Sequence, residues 1–189
     1  METRIAGRIS IVIFVTLLAA LAGCAGGGHG RNINDPNNSL VFGFVDMSEA
    51  PTKVSGAQIM QVAPPTEKPY WGTDVREGLF YTYYLPPGSY RLATLHGSSF
   101  LRGEHQYTFP RQGGGDTTAR IEKPGIYFLG AYKYQRVKTG VFEQGKFGIE
   151  RVQSPTEAEL LQRLLDTDAE VKNSVWGDKI RQRLARLKK

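Results

Sequence analysis

The hydrophobic positions of the chain fall into three regimes. From Ile9 to Ala22 they form one uncharged, mostly apolar run. From Leu40 to about Val152 they come in short runs of β-branched and aromatic residues between Gly, Pro and polar residues, which predicts strands. Leu40–Val45 is apolar and ends at Asp46. Ala57, Ile59 and Gln61 alternate with Gln58, Met60 and Val62 ahead of Pro64-Pro65. Leu79–Leu85 reads LFYTYYL between Gly78 and Pro86, and Tyr90–Leu95 and Ile126–Tyr134 continue the pattern. After Val152 the period becomes helical. Leu160, Leu161, Leu164 and Leu165 share one face, and Trp176, Ile180, Leu184 and Leu187 form a second stripe. Ser154-Pro155-Thr156-Glu157 reads as a helix start, with Ser154 as cap, Pro155 in the first turn and Glu157 closing a capping box. Thr167–Glu170 offers a second, weaker box. Gly177 costs a helix about 1 kcal/mol relative to alanine and marks a place where it can break.

Two turns repeat one pattern, Pro87-Gly88-Ser89-Tyr90-Arg91-Leu92 and Pro124-Gly125-Ile126-Tyr127-Phe128-Leu129. Pro followed by Gly suits a type II turn, with the glycine at positive φ. Aromatic residues crowd nearby. Tyr70-Trp71 lies in a long loop, and alternation puts Tyr81 and Tyr83 on one strand face with Phe80 and Tyr84 on the other. Two readings follow. Trp71, Tyr81, Tyr83 and Trp176 form an exposed binding surface for protein or glycan. Alternatively the C-terminal helices cover that face and the aromatics are core; this is preferred, because Leu160, Leu164, Trp176 and Ile180 need an apolar surface to bury against.

The start of the chain is an address. Arg4 and Arg8 precede the Ile9–Ala22 run, which is too short to span a bilayer and ends in the small residues Ala22 and Gly23. Cys24, the only cysteine, follows at once. Leu21-Ala22-Gly23-Cys24 resembles a bacterial lipobox. That resemblance implies a diacylglyceryl group on the Cys24 sulfur, cleavage before Cys24 and acylation of the new amino terminus. Two or three acyl chains hold a protein stably where one does so marginally. Ala25 is not the aspartate that often signals inner-membrane retention, so the resemblance favours the outer membrane of a Gram-negative cell. Ala25–Ser39, rich in Gly and Asn, reads as a flexible tether. The expected organisation is a signal peptide over 1–23, a lipidated tether over 24–39, a β-sandwich over 40–152 and a helical segment over 153–189.

Within the strand region, Gly43-Phe44-Val45-Asp46, Pro51 and Val54-Ser55-Gly56-Ala57-Gln58-Ile59, then Gly78-Leu79-Phe80 and Leu85-Pro86-Pro87-Gly88-Ser89-Tyr90-Arg91-Leu92, resemble carboxypeptidase regulatory-like domains. The resemblance covers about residues 40–95 and implies a mainly β fold, a prealbumin-like antiparallel sandwich, here with a C-terminal α-helical extension. Thr82 and the long loop Pro64–Asp74 depart from the family pattern. In the carboxypeptidases this domain is an accessory, so no catalytic residue is carried over.

Charge and chemistry narrow the function. The formal charge is +6, and removing residues 1–23, which hold Glu2, Arg4 and Arg8, leaves +5. This suits anionic headgroups or acidic envelope polymers, while export argues against nucleic acid. From Lys179 to Lys189 there are six basic residues and no acid, a solvated face that suits the end of a helix or a contact with a membrane or partner. His29, His96 and His105 lack the spacing of a metal site, and Gly113–Thr118 has glycines but no phosphate-loop lysine. No Gly-x-Ser-x-Gly is present. The expectation is a membrane-anchored envelope lipoprotein, not an enzyme and without a cofactor, serving as a binding or structural module for another envelope protein. Recognition of an envelope glycan or lipid is the alternative, and a periplasmic hydrolase ranks last.

Overall fold

The computed structural model describes residues 32–67, 70–99, 103–109, 118–137 and 147–188. The predicted signal peptide, Cys24, His29 and most of Gly113–Thr118 lie outside the described residues. Among the described residues, nine strands, β1 (Ser39–Asp46), β2 (Lys53–Ala63), β3 (Tyr70–Arg76), β4 (Leu79–Leu85), β5 (Gly88–Ser99), β6 (Gly103–Thr108), β7 (Thr118–Ile121), β8 (Ile126–Arg136) and β9 (Phe147–Val152), precede three helices, α1 (Glu157–Thr167), α2 (Ala169–Lys172) and α3 (Val175–Leu187). The strands hydrogen-bond in the order β6-β5-β2-β3-β4-β1-β8-β9, and β7 also pairs with β5. β3 is the hinge of this path: Tyr70–Asp74 pair with β2, and Val75 and Arg76 with β4. Most of β3 falls in the segment that reads as a long loop, because Gly72, Thr73 and Asp74 interrupt its apolar pattern. The pairing of β1 with β8 is parallel, so the sheet is not wholly antiparallel as expected.

Curling of the sheet lets both halves line one core. Val41, Ile59, Phe80, Leu92, Leu95 and Tyr132 are buried there. The two ends approach through aromatic rings: Phe147 of β9 lies edge-on to Tyr107 of β6 at 5.2 Å and to Phe109 at 5.5 Å between ring centres. Thr52 and Tyr107 share a buried hydroxyl–hydroxyl bond of 2.6 Å. A second core lies on the outer face of β1, β4 and β8. Leu40, Phe42 and Leu79 meet Leu160, Leu161 and Leu164 of α1, Val171 of α2 and Trp176, Ile180 and Leu184 of α3. β1 is therefore apolar on both faces, which is why it reads as a continuous run rather than an alternation.

Two bulges set which residue faces which core. Opposite β1, the register of β4 shifts between Val41↔Thr82 and Ser39↔Leu85, leaving Tyr83 and Tyr84 against Leu40. Their rings lie 4.3 Å apart, too close for opposite faces, so the alternation that sent Tyr84 across the strand from Tyr83 stops here. Leu85 turns into the inner core as a result. In β8 the shift falls between Phe128 and Ala131 and contains Gly130, whose φ of 116° suits glycine. It moves Tyr132 and Tyr134 inward.

The repeated Pro-Gly turns differ from expectation. Neither Gly88 nor Gly125 takes positive φ. Instead each tyrosine folds back: Tyr90 Oη donates to Pro86 O at 2.8 Å and Tyr127 Oη to Lys123 O at 2.7 Å. A Cβ on Gly88 would stand 3.1 Å from the Tyr90 ring, and one on Gly125 3.3 Å from the Tyr127 ring. The glycines make room for a tyrosine corner, a ring closed onto the backbone just upstream.

Helix starts also shift. α1 is capped by Thr156, not Ser154, in a box with Glu159. Glu157 pairs instead with Arg183 of α3. α2 is capped by Asp168 and α3 by Ser174. α3 runs through Gly177 without a break, and a Cβ there would run into the Lys172 carbonyl. Residues 33–39, read as tether, belong to the folded body: Trp176 Nε1 donates to Ile33 O at 2.8 Å and Val175 N to Asn34 Oδ1 at 3.1 Å.

Candidate functional site

The four aromatic residues singled out from sequence do not share one surface. Trp71 pairs opposite Ile59 and packs against the inner core, its Nε1 buried without a hydrogen-bond partner. Tyr81 and Tyr83 face the helices, and Trp176 is completely buried. Tyr81 Oη donates to Asp168, the residue that caps α2. Burial first, and then this carboxylate, hold the Tyr81 phenol above its ordinary range. Burial likewise raises Tyr83, beside Tyr84 and Glu170. These tyrosines dock the helical layer. The helices partly cover Tyr81 and Tyr83, and Trp176 presents no surface to a ligand.

Two other places gather polar groups. His96 and Glu104 lie beside Ser55, Ser98 and Gln106 at a shallow depression of about 480 Å³ on the β2–β5–β6 sheet. His105 contributes to its wall, but pairs with Gly97 in a register one step from His96↔Gln106, so the two imidazoles leave opposite faces. The His105 Nε2 is buried with no partner. No set of three His, Cys, Asp or Glu side chains able to hold a metal ion occurs among the described residues.

The second place is a groove of about 340 Å³ between the β7–β8 turn and α3. Lys123, Pro124, Gly125, Ile126 and Tyr127 form one wall, and Lys179, Gln182, Arg183 and Arg186 the other. No acidic residue lines it. The turn is pinned on both sides. Tyr127 holds the Lys123 carbonyl, Gly125 N donates to Ser39 Oγ at 3.2 Å, and Leu40 N donates to Gly125 O at 2.9 Å. The helix wall is fixed by the buried Trp176, Ile180 and Leu184. Arg183 is committed to Glu157, at 2.8 and 3.2 Å, and this pairing raises the guanidinium pKa further. Lys179 Nζ stands 4.3 Å from the Trp176 ring centre. Sequence reasoning found the basic run of α3 but not Lys123, whose place depends on the turn folding back over a helix more than fifty residues away.

Compared with known protein families, curated proteins and solved structures, the chain matches none. No described helix is long and apolar enough to cross a membrane.

Proposed function

We propose that this chain is a bacterial envelope lipoprotein, anchored through lipid on Cys24 and serving as a non-enzymatic binding or structural module for another envelope protein. The observation that carries the reading is the lone cysteine directly behind an apolar run, nine residues ahead of Ile33, where the chain joins the folded body. A prealbumin-like sandwich is the finer fold in this proposal, supported by two halves of a curled sheet around one core and by the resemblance over residues 40–95. For a protein partner, β9 offers an edge: among the described strands it pairs with β8 alone, and an open edge can take a further strand. An outer-membrane position remains part of the proposal where the cell has such a membrane.

Replacing Cys24 with alanine tests the anchor. The variant is expected to leave the membrane fraction and lose lipid labelling; unchanged retention and mass would reject lipidation. Gentle solubilisation of the native envelope, followed by co-purification, tests the module. A stoichiometric protein partner supports it, and recovery of the chain alone counts against it. The basic groove favours a second reading, recognition of an anionic envelope lipid or glycan.

A further inference from the structure

We infer that the groove between the β7–β8 turn and α3 binds the phosphate of an anionic membrane lipid. This deepens the second reading above and rests on the lipid anchor for its setting. Three observations carry it. First, three of its four cations, Lys123, Lys179 and Arg186, are not spent on a carboxylate among the described residues. Arg183 is neutralised by Glu157, and Glu122, the acid next to Lys123, turns to Arg120 at 3.5 Å. Among the described residues no carboxylate forms an ion pair with Lys123, Lys179 or Arg186. Three positive side chains thus converge from two elements on one groove, the arrangement a phosphate dianion or diester selects.

Second, the groove is built before any ligand arrives. Its turn is tied to Tyr127, Ser39 and Leu40, and its helix is seated on a buried tryptophan. A preformed site loses less ordering entropy on binding. Ile126 and Tyr127, both partly buried hydrophobic residues, are part of the groove's lining, which suits a phosphate joined to glycerol and acyl carbons more than a bare anion.

Third, the groove adjoins the point where the chain enters the body. Ser39 and Leu40 bond the groove's own turn, and Ile33 bonds Trp176 on the groove's own helix. From Cys24 to Ile33 the chain has nine residue steps, which reach at most about 30 Å at roughly 3.3–3.6 Å each. A lipid on Cys24 therefore keeps this face within a short distance of headgroups.

The test uses the mature chain, residues 24–189, carrying Cys24→Ser so that binding is read without acyl chains. It is mixed with vesicles of phosphatidylcholine alone or of phosphatidylcholine with phosphatidylglycerol. Preferential sedimentation with the anionic vesicles, weakening with added salt, is expected. Lys123→Gln and Arg186→Gln are each expected to weaken it about fivefold, and the pair about twenty-five-fold, while Lys53→Gln with Arg151→Gln, equal in charge but outside the groove, leaves it nearly unchanged. Equal losses in the two double variants would overturn the groove in favour of diffuse charge. Saturable binding of inorganic phosphate that Lys123→Gln removes, without any vesicle preference, would overturn the lipid as the source. Mass analysis of Cys24 from cells tests the anchor separately, so an unmodified cysteine and a groove that ignores anionic lipid are distinguishable failures.

Discussion

At the scale of single residues, glycine is placed here by what lies above it more than by its own backbone angles. Gly177 sits inside α3, where alanine ordinarily gains about 1 kcal/mol. Its missing Cβ, however, leaves room for the Lys172 carbonyl, whose carbon would stand 2.8 Å from such a Cβ. Those atoms belong to the end of α2 and cannot swing aside as a side chain would. Gly177→Ala is therefore expected to destabilise the protein by about 1–3 kcal/mol, the cost of overpacking. Urea unfolding of the variant checks the sign, and any gain in stability would mean that the two helices separate freely. Gly88 follows the same logic: a Cβ would stand 2.8 Å from the Ala63 carbonyl and 3.1 Å from the Tyr90 ring. Gly88→Val is expected to lower the unfolding midpoint while Tyr90→Phe, which keeps the ring but loses the bond to Pro86, costs less, about 0.5–1.5 kcal/mol. The Pro-Gly-x-Tyr pattern was legible as a turn signal. Its geometry was not, because nothing in the local sequence shows that the tyrosine closes back onto the backbone.

At the scale of elements, α1 shows how a cap is chosen. Ser154 and Glu157 have box spacing, and so do Thr156 and Glu159. Glu157 is drawn to Arg183, and the box forms at the second pair: Thr156 N donates to Glu159 Oε2 at 2.6 Å and Glu159 N to Thr156 Oγ1 at 3.3 Å. These bonds hold the Glu159 carboxyl below its ordinary value of 4.5, the backbone bond first. A lowered carboxylate pKa contributes stability that is present above 4.5 and is lost as pH falls through the folded value. Thermal melts from pH 6 downward are thus expected to fall less steeply below about 4.5 for Glu159→Gln than for the natural chain; parallel curves would deny the box any share in acid sensitivity. Tyr81→Phe removes the strand's bond to the cap of α2 and is expected to cost about 1.5–3 kcal/mol by chemical unfolding, as for bonds to charged groups. The same contrast explains which elements were legible. β1, β4, β5 and β8 carry apolar or aromatic runs because they line cores, and both helical stripes are buried as expected except at Leu187, which is exposed. β3, β6 and β7 hide behind Gly, Asp, Glu and Thr, since much of their surface meets water and their identity comes from pairing with distant strands.

At the scale of the whole molecule, the sheet serves two cores at once, and the helices are structural partners of the strands. Had the aromatic strand been a free binding face, Tyr81, Tyr83 and Trp176 would meet solvent. Trp176 is instead completely buried and the helices half-cover Tyr81 and Tyr83; the groove proposed above lies elsewhere, at the rim of the helical layer, where Lys123 and Arg186 stand. Legibility of the site was limited for the same reason: residue spacing reports what one element carries, whereas this groove is made by two. The dependence of the layers on each other gives a sharp comparison within α3. Trp176 is completely buried among Leu40, Phe42 and Leu79 of the sheet-side core and Leu160 and Leu164 of α1, and its indole also fixes Ile33. Trp176→Ala removes that packing and is expected to cost about 3–5 kcal/mol. Leu187, on the same helix and 39% exposed, is expected to tolerate alanine with a change of about 0.5 kcal/mol or less. Urea unfolding of both variants, followed with a dye that binds exposed apolar surface, separates a docked layer from a loosely attached tail. A docked layer gives a large loss at Trp176, a small one at Leu187 and dye binding for the former alone. Equal, small losses at both positions would mean that the helices only rest on the sheet, and the groove would then lack the fixed wall that its cations need.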